Sequence, residues 1–318
     1  MAGEKPKVVV VGGSYIDLAL RCGEVPQAGI CVSGSELCYS TSGPGPNQAV
    51  QAVNCGCEVH LLSKLGGDPF GPLVRQTLEQ YGVNTDCVYM AEAMNTGVYV
   101  TLVNAAGENA GCHFAGANSA LQARDIEAAE EIIADAAVCL IHGQLPQEAI
   151  VAVLRCAEVH GTTVILNPVR PLAAASGDVE ETPLEYFGAD IVIPNLYEAA
   201  DIADQALTSI RTAKMLGSDL VARGVKTAVI TMGRRGCMLV DRNGADHVPA
   251  FEVESVDHTC RGDAFAGALA AYCAVGGTMR EAVEFAAAAG ALACTRFGSI
   301  EALPSKADII ELLQKESL

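Results

Sequence analysis

The stretch "KVVVVGG", Lys7 to Gly13, decides the fold. Four consecutive valines closed by two glycines leave no polar face, so the strand they form must be covered on both sides, as in a parallel sheet between helical layers. Four further apolar runs follow: "AAVCLIHG" (136–143), "TTVILNP" (162–168), "ADIVIPN" (189–195) and "TAVITMG" (227–233). Helix-like segments lie between them, among them "DIEAAEEIIADA" (125–136), "PQEAIVAVLRCAEVHG" (146–161) and "IRTAKMLGSDLVARG" (210–224). Strand alternating with helix at this spacing predicts a doubly wound α/β sheet.

Two regions interrupt the alternation. Residues 14–41 carry little helical periodicity, and "NTGVYVTLVNAAGENAGCHFA" (95–115) reads as two strands around an "AAGEN" turn. Both are expected to leave the main sheet and pair into a small β lid, a common device for excluding water from a reaction. After Asp263 the chain turns to small apolar residues, "AFAGALAAYCAVGG" and "REAVEFAAAAGALACTRFG", which suit close helix packing. With 318 residues and no linker or repeat, one domain over 1–318 is expected.

The 20 basic and 38 acidic residues give a net charge of −18. That field repels nucleic acid and anionic membrane surfaces, so neither is expected as a partner. The apolar start is too short for a signal peptide and no run is long enough to span a bilayer, which points to a cytoplasmic protein. The 13 cysteines contain no C-x-x-C pair and are read as reduced, packed thiols.

Ligands of open α/β sheets sit at the carboxyl ends of the strands. The polar residues there are Gly12 to Asp17, Asn167, Asn195 with Glu198, Thr231 with Gly233, and Asp257 to Asp263. "GGSYID" after the first strand lacks G-x-G-x-x-G and runs on as extended chain, and there is no G-x-x-x-x-G-K-[ST], which weakens a dehydrogenase and a Walker-type reading. In "SGPGPNQAVQAVNCG" (42–56), Gly43 and Gly45 let backbone approach a ligand and Asn47 offers an amide, or the stretch is a plain helix start. Asn195 and Glu198 can face one hydrated cation, or form a capping box. In "VDHTCRGDAFAGALAAY" (256–272), successive N–H groups at a helix start could hold an anion, with Asp263 as a base or as a cap.

Taken together in order, "GGSYID", "SGPGPNQAV", "GGDPFG", "AAGENAGCHFAGANSAL", "LNPVRP", "PNLYEA", "TMGRRG", "DHTCRGDAFAGAL" and "CTRFGS" make the chain resemble the PfkB, or ribokinase-like, carbohydrate kinases over essentially its whole length. The resemblance implies a three-layer α/β/α sandwich with a mainly parallel central sheet, a β lid that also serves as a dimer interface, and ATP-dependent phosphorylation of a small sugar. It implies Asp263 as the base, and Cys260, Arg261 and Gly262 as the anion hole. Asp17, Gly43, Asn47 and Gln144 fall at sugar-binding positions, and Asn195, Thr231, Gly233 and Gly236 at nucleotide positions. Glu198 falls where an acidic residue organises Mg²⁺ through water, and Asp257, Thr259, Ala293 and Gly298 where K⁺ binds.

Five positions depart from the family pattern. Cys260 and Arg261 replace the first two residues of a Gly-Ala-Gly-Asp sequence, Pro44 stands for a lysine, Gln144 for an acidic residue, and Ala302 for a hydroxyl residue. Ribose is the expected acceptor. The alternatives are a nucleoside or another sugar, on the strength of Pro44 and Gln144, or a non-catalytic binding protein in which Arg261 fills the anion hole.

Overall fold

The computed structural model describes residues 4–104, 109–169, 182–203 and 210–316. The "AAGEN" turn lies almost wholly outside them.

The valine run is the strand β1 (Lys7–Val11), and its period of two explains the layers. Val8 and Val10 enter one apolar core and Val9 and Val11 enter another on the opposite face. The other strands of the main sheet are β4 (Glu58–Gly66), β5 (Val88–Ala91), β8 (Val138–His142), β9 (Thr163–Asn167), β10 (Ile191–Val192), β11 (Thr227–Thr231), β12 (Cys237–Asp241) and β13 (Gly244–Val248). Their order is β13-β12-β11-β10-β9-β8-β1-β4-β5. All pairs are parallel except those of β12, which is antiparallel to β11 and to β13.

Helices α1 (Pro44–Asn54), α2 (Phe70–Gln80), α8 (Arg261–Ala274), α9 (Met279–Ala293) and α10 (Lys306–Glu316) cover the face of Val8 and Val10. Helices α3 (Ala123–Glu127), α4 (Glu130–Ala134), α5 (Gln147–His160), α6 (Leu196–Ile202) and α7 (Ile210–Ala222) cover the face of Val9 and Val11. The result is the expected three-layer α/β/α sandwich.

Both interrupting regions leave the main sheet, as read from their patterning. Strands β2 (Tyr15–Cys22), β3 (Gly34–Ser42), β6 (Gly97–Val103) and β7 (Asn109–Phe114) form one four-stranded sheet ordered β3-β2-β6-β7.

Three details differ from the sequence reading. The segment 125–136 is two short helices that break at Ala128 and Ala129, and Asp125 anchors the start of the first by a buried ion pair with Lys64 and a capping box with Gln122. The run 189–195 yields a strand of only two residues, extended by a bridge from Asn195 to Thr231. Strand β4 was not expected, since Ser63 and Lys64 interrupt its apolar pattern although both are buried.

The turn from β1 packs directly against the start of α1. A Cβ on Gly45 would lie 2.6 Å from the Gly12 carbonyl oxygen, closer than real contacts permit. Gly45→Ala is therefore expected to destabilise the protein by roughly 1–3 kcal/mol through overpacking. Chemical denaturation measures this, and an unchanged midpoint would show that the two loops can separate freely.

Candidate active site

A cavity of about 710 Å³ opens at the carboxyl ends of the main-sheet strands. Asn167, Asn195, Glu198, Thr231, Gly233 and Gly236 line it, together with Cys260, Arg261, Gly262 and Asp263. The strand-end rule thus gathers residues from four separate stretches of sequence into one space.

Helix α8 supplies the floor. Its N-cap, Cys260, has φ 52°, and no side chain caps the helix. The left-handed turn costs a non-glycine residue about 1–2 kcal/mol. It directs the Cys260 thiol inward, where Sγ donates weakly to the Ser299 carbonyl at 3.4 Å. Burial, the largest influence, pushes that thiol's pKa up. The backbone N–H groups that follow point to the cavity end of the helix, where the dipole favours an anion.

Asp263 is the third residue of α8 rather than its cap. Its two carboxylate oxygens accept from Asn47 Nδ2 at 2.8 Å and Gln48 Nε2 at 3.0 Å. Burial nonetheless raises its pKa, because the two amides offset only part of the desolvation. Asn47 is oriented in turn by Ser299, whose Oγ donates to Asn47 Oδ1 at 2.9 Å and contacts Ser42 Oγ at 2.9 Å.

The other predicted acceptor-side residues lie outside the cavity wall, beneath the four-stranded sheet. Asp17 and Tyr99 are neighbours on β2 and β6, and Tyr99 Oη donates to Gln144 Oε1 at 3.2 Å. Tyr99 also packs at 4.5 Å between ring centroids against Tyr15, which abuts Gly43. Burial raises the pKa of Tyr99, and the carboxylates of Asp263 and Asp17 add to it, so all three share one neighbourhood. Asp17 Oδ1 and the Tyr15 hydroxyl are buried without a hydrogen-bond partner among the described residues.

Asn195 and Glu198 do form the capping box: Asn195 Oδ1 accepts from the N–H groups of Tyr197 and Glu198, and Glu198 Oε2 accepts from Asn195 N at 2.8 Å. The carboxyl still faces the cavity, and burial pushes its pKa up to about 7. Both readings of this motif therefore describe one geometry.

Asp257, Thr259 and Gly298 come together at a loop junction. Asp257 accepts from Thr259 N at 2.9 Å, from Thr259 Oγ1 at 2.7 Å and from Gly298 N at 3.2 Å. Burial alone would raise the Asp257 pKa, but these hydrogen bonds outweigh it and hold the pKa below the usual value. Ala293 is fully buried at the end of α9, next to Cys294, whose carbonyl binds Val256 N and Asp257 N.

His142 was not anticipated. It ends β8 and lines the cavity, so the same strand-end rule that found Asn167 and Thr231 would have found it. Gln144 N donates to its Nδ1 at 3.3 Å, which leaves the ring proton on Nε2. Burial lowers its pKa to about 3, so the ring is neutral at physiological pH.

A mainly parallel sheet thus carries a rim cavity faced by a helix start, with a second β sheet beside it. Residues 5–306 match the pfkB family carbohydrate kinases, and the chain belongs to that family. It is 31% identical over 312 residues to the ribokinase of Schizosaccharomyces pombe, covering 95% of this chain and 96% of that protein. It is 28% identical over 299 residues to the deoxyribokinase of Salmonella typhi, covering 94% and 95%. The solved Arabidopsis thaliana ribokinase, complexed with ribose and ATP, superposes with a TM-score of 0.89 at 25% identity, covering 98% of this chain and 99% of that one.

Cys260 is the departure whose cost is measurable. Cys260→Gly removes the left-handed strain along with a small buried side chain, so its stability should stay within about 1 kcal/mol of the parent. Cys260→Val places a β-branched residue there and should cost roughly 1–3 kcal/mol. Equal denaturation midpoints for the two variants would refute this account of the turn.

Proposed function

We propose that the protein transfers the γ-phosphoryl group of ATP to the primary hydroxyl of a small sugar, with D-ribose the first choice and 2-deoxy-D-ribose the second. The observation that carries this reading is the desolvated carboxylate of Asp263, fixed by two amides beside an uncapped helix start. In this reading Asp263 takes the proton of the attacking hydroxyl. The N–H groups of Arg261, Gly262 and Asp263 hold the charge of the phosphoryl group in flight, with Cys260 shaping the turn.

Asp17, Gly43, Asn47 and Gln144 hold the acceptor, and Asn195, Thr231, Gly233 and Gly236 the nucleotide. Ribose and deoxyribose are favoured because relatives along the whole chain are ribokinases and a deoxyribokinase. Pro44 and Gln144 support the alternative, a nucleoside or other sugar. Both stand where the family carries charge, and an unmatched buried hydroxyl shifts preference by about 1–3 kcal/mol.

Mg²⁺ suits the donor set. Among the described residues no cluster of three or more His, Cys, Asp or Glu gathers. A cation that keeps its waters and takes phosphate oxygens needs only a carboxyl such as Glu198 nearby. Bound there, Mg²⁺ would neutralise phosphate charge. K⁺ fits the junction of Asp257, Thr259, Ala293 and Gly298. Asp257 is ionised and makes no ion pair among the described residues, although Ala302 adds no hydroxyl.

The lid sheet supports a homodimer. Tyr99, Asp17 and His113 share its inner face, whereas Leu37, Tyr39, Val100 and Phe114 share the other and are 61%, 63%, 37% and 56% exposed. An aligned apolar sheet face of this kind suits a second copy of the chain. No described helix is long and apolar enough to cross a membrane, which is compatible with the proposed cytoplasmic location.

ADP release from Mg-ATP should depend on D-ribose or 2-deoxy-D-ribose and rise with added K⁺. Turnover confined to some other acceptor would refute the ribose assignment. Asp263→Asn should lower kcat by roughly 10²- to 10⁴-fold. The same variant should fold normally, because turning the Gln48 amide offers its unpaired Oε1 to the new side chain.

The raised Asp263 pKa also sets a sign for stability against pH. The group favours folding below the ordinary carboxylate pKa, and that contribution is lost as pH rises through the raised value. Asp263→Asn removes the penalty, so at neutral pH its melting temperature should equal or exceed the parent's. A lower one would contradict the desolvation argument. Leu37→Glu with Phe114→Glu should convert a dimer into a monomer by light scattering, and an unchanged mass would exclude this face.

A further inference from the structure

Arg261 is, with Cys260, one of the two residues of the anion-hole turn that depart from the family pattern, and the structure shows where its side chain goes. The stem crosses α9 at Gly290, where a Cβ would meet Arg261 Cγ at 3.5 Å. The guanidinium ends beside Gly233, with Nη1 3.6 Å and Nη2 3.8 Å from the place a Cβ would take there. Gly233 has φ 63°, a conformation that itself excludes most side chains. Two glycines from distant segments thus flank this arginine side chain at van der Waals distance.

The head group lies in the cavity and not in a surface ion pair. Arg261 makes no salt bridge among the described residues, and it lines the cavity with Gly233, Cys237 and Cys294. Its charge is felt at both thiols, where it acts against the burial that raises their pKa values. Arg261 is exposed to solvent at the cavity, and its guanidinium has no ion-pair partner among the described residues of a protein with net charge −18. A planar fork of N–H donors facing a cavity matches the oxygens of a phosphate chain.

We propose that Arg261 is a catalytic residue that binds the nucleotide's phosphate chain on the side away from Asp263, clamping the β-phosphate against the Gly233 loop. This rests on the kinase reading above. In the transfer, the acceptor oxygen forms its bond to the γ-phosphorus as the bond from that phosphorus to the β–γ bridging oxygen breaks. The hydroxyl proton passes to Asp263, and the released electron pair stays on the departing diphosphate. Arg261 meets the charge that appears there, while the helix start meets the charge on the transferred group. Its side chain is therefore part of the reaction machinery and does not plug the anion hole.

The test compares Arg261→Ala and Arg261→Lys with the parent chain by calorimetric binding of ADP and AMP, alongside turnover. Loss of the clamp should weaken ADP binding by roughly 10- to 100-fold, the range for a hydrogen-bonded charge. AMP, which has no β-phosphate, should bind equally to all three proteins. The lysine variant should recover part of the ADP affinity, and kcat of the alanine variant should fall and respond to added guanidinium ion.

Unchanged ADP affinity in Arg261→Ala would overturn the proposal, as would turnover that rises in that variant. A parent chain that phosphorylates no acceptor yet shows the ADP-specific loss would defeat the kinase reading while leaving Arg261 as a phosphate ligand. The two failures are therefore distinguishable.

Discussion

The hydrogen bonds from Asn47 and Gln48 to the Asp263 carboxylate are the constraint on which the arrangement of the site depends. They join residues 216 and 215 apart in sequence, and they set the start of α1 against the start of α8. The chain of contacts continues through Ser299 to Ser42, so four segments are held by one buried polar network. Such a network stabilises only when every member is satisfied, and here each amide has one defined orientation. The orphaned Gln48 Oε1 is the exception, on the arm of the amide opposite the nitrogen that holds Asp263.

The electrostatics follow from that placement. A protein with 38 acidic and 20 basic residues repels anions at long range, yet its cavity is built for local attraction. Backbone N–H groups at a helix start, a neutral His142 and the guanidinium of Arg261 add donors to a cavity that Glu198, Glu252 and Asp263 also line. Short-range donors in a low-dielectric space outweigh the screened field of surface charges, so the net charge constrains macromolecular partners more than it constrains a small ligand.

Strands buried on both faces were legible because an unbroken β-branched run needs no partner to identify it. Strand β4 was not, since Ser63 and Lys64 are satisfied by Ser14 and Asp125, which lie 49 and 61 residues away. The antiparallel edge was not anticipated, although Asn243 and Gly244, where the two-residue turn after β12 enters β13, are residues that favour a tight hairpin. The strand-end rule gave Asn167, Asn195, Glu198, Thr231, Gly233 and Asp263, which line one cavity, whereas Gly236 came from the family resemblance alone. The direction of the Arg261 side chain was beyond reach, because it depends on two glycines that only the folded chain brings near it.

The cavity is lined by residues from His142 to Cys294, whereas the compartment beneath the four-stranded sheet draws on Tyr15, Asp17, Gly43, Asn47, Tyr99 and Gln144. The boundary between the two compartments thus falls near the middle of the chain. Asp263, held by Asn47 and Gln48, Cys260 through Ser299, and the short segment from His142 to Gln144 bridge them. Pro44 and Gln144 both lie outside the lining of the cavity, so substitution at either alters its surroundings without changing a residue of the cavity wall, whereas Asn47 and Gln48 tie the early half of the chain to Asp263.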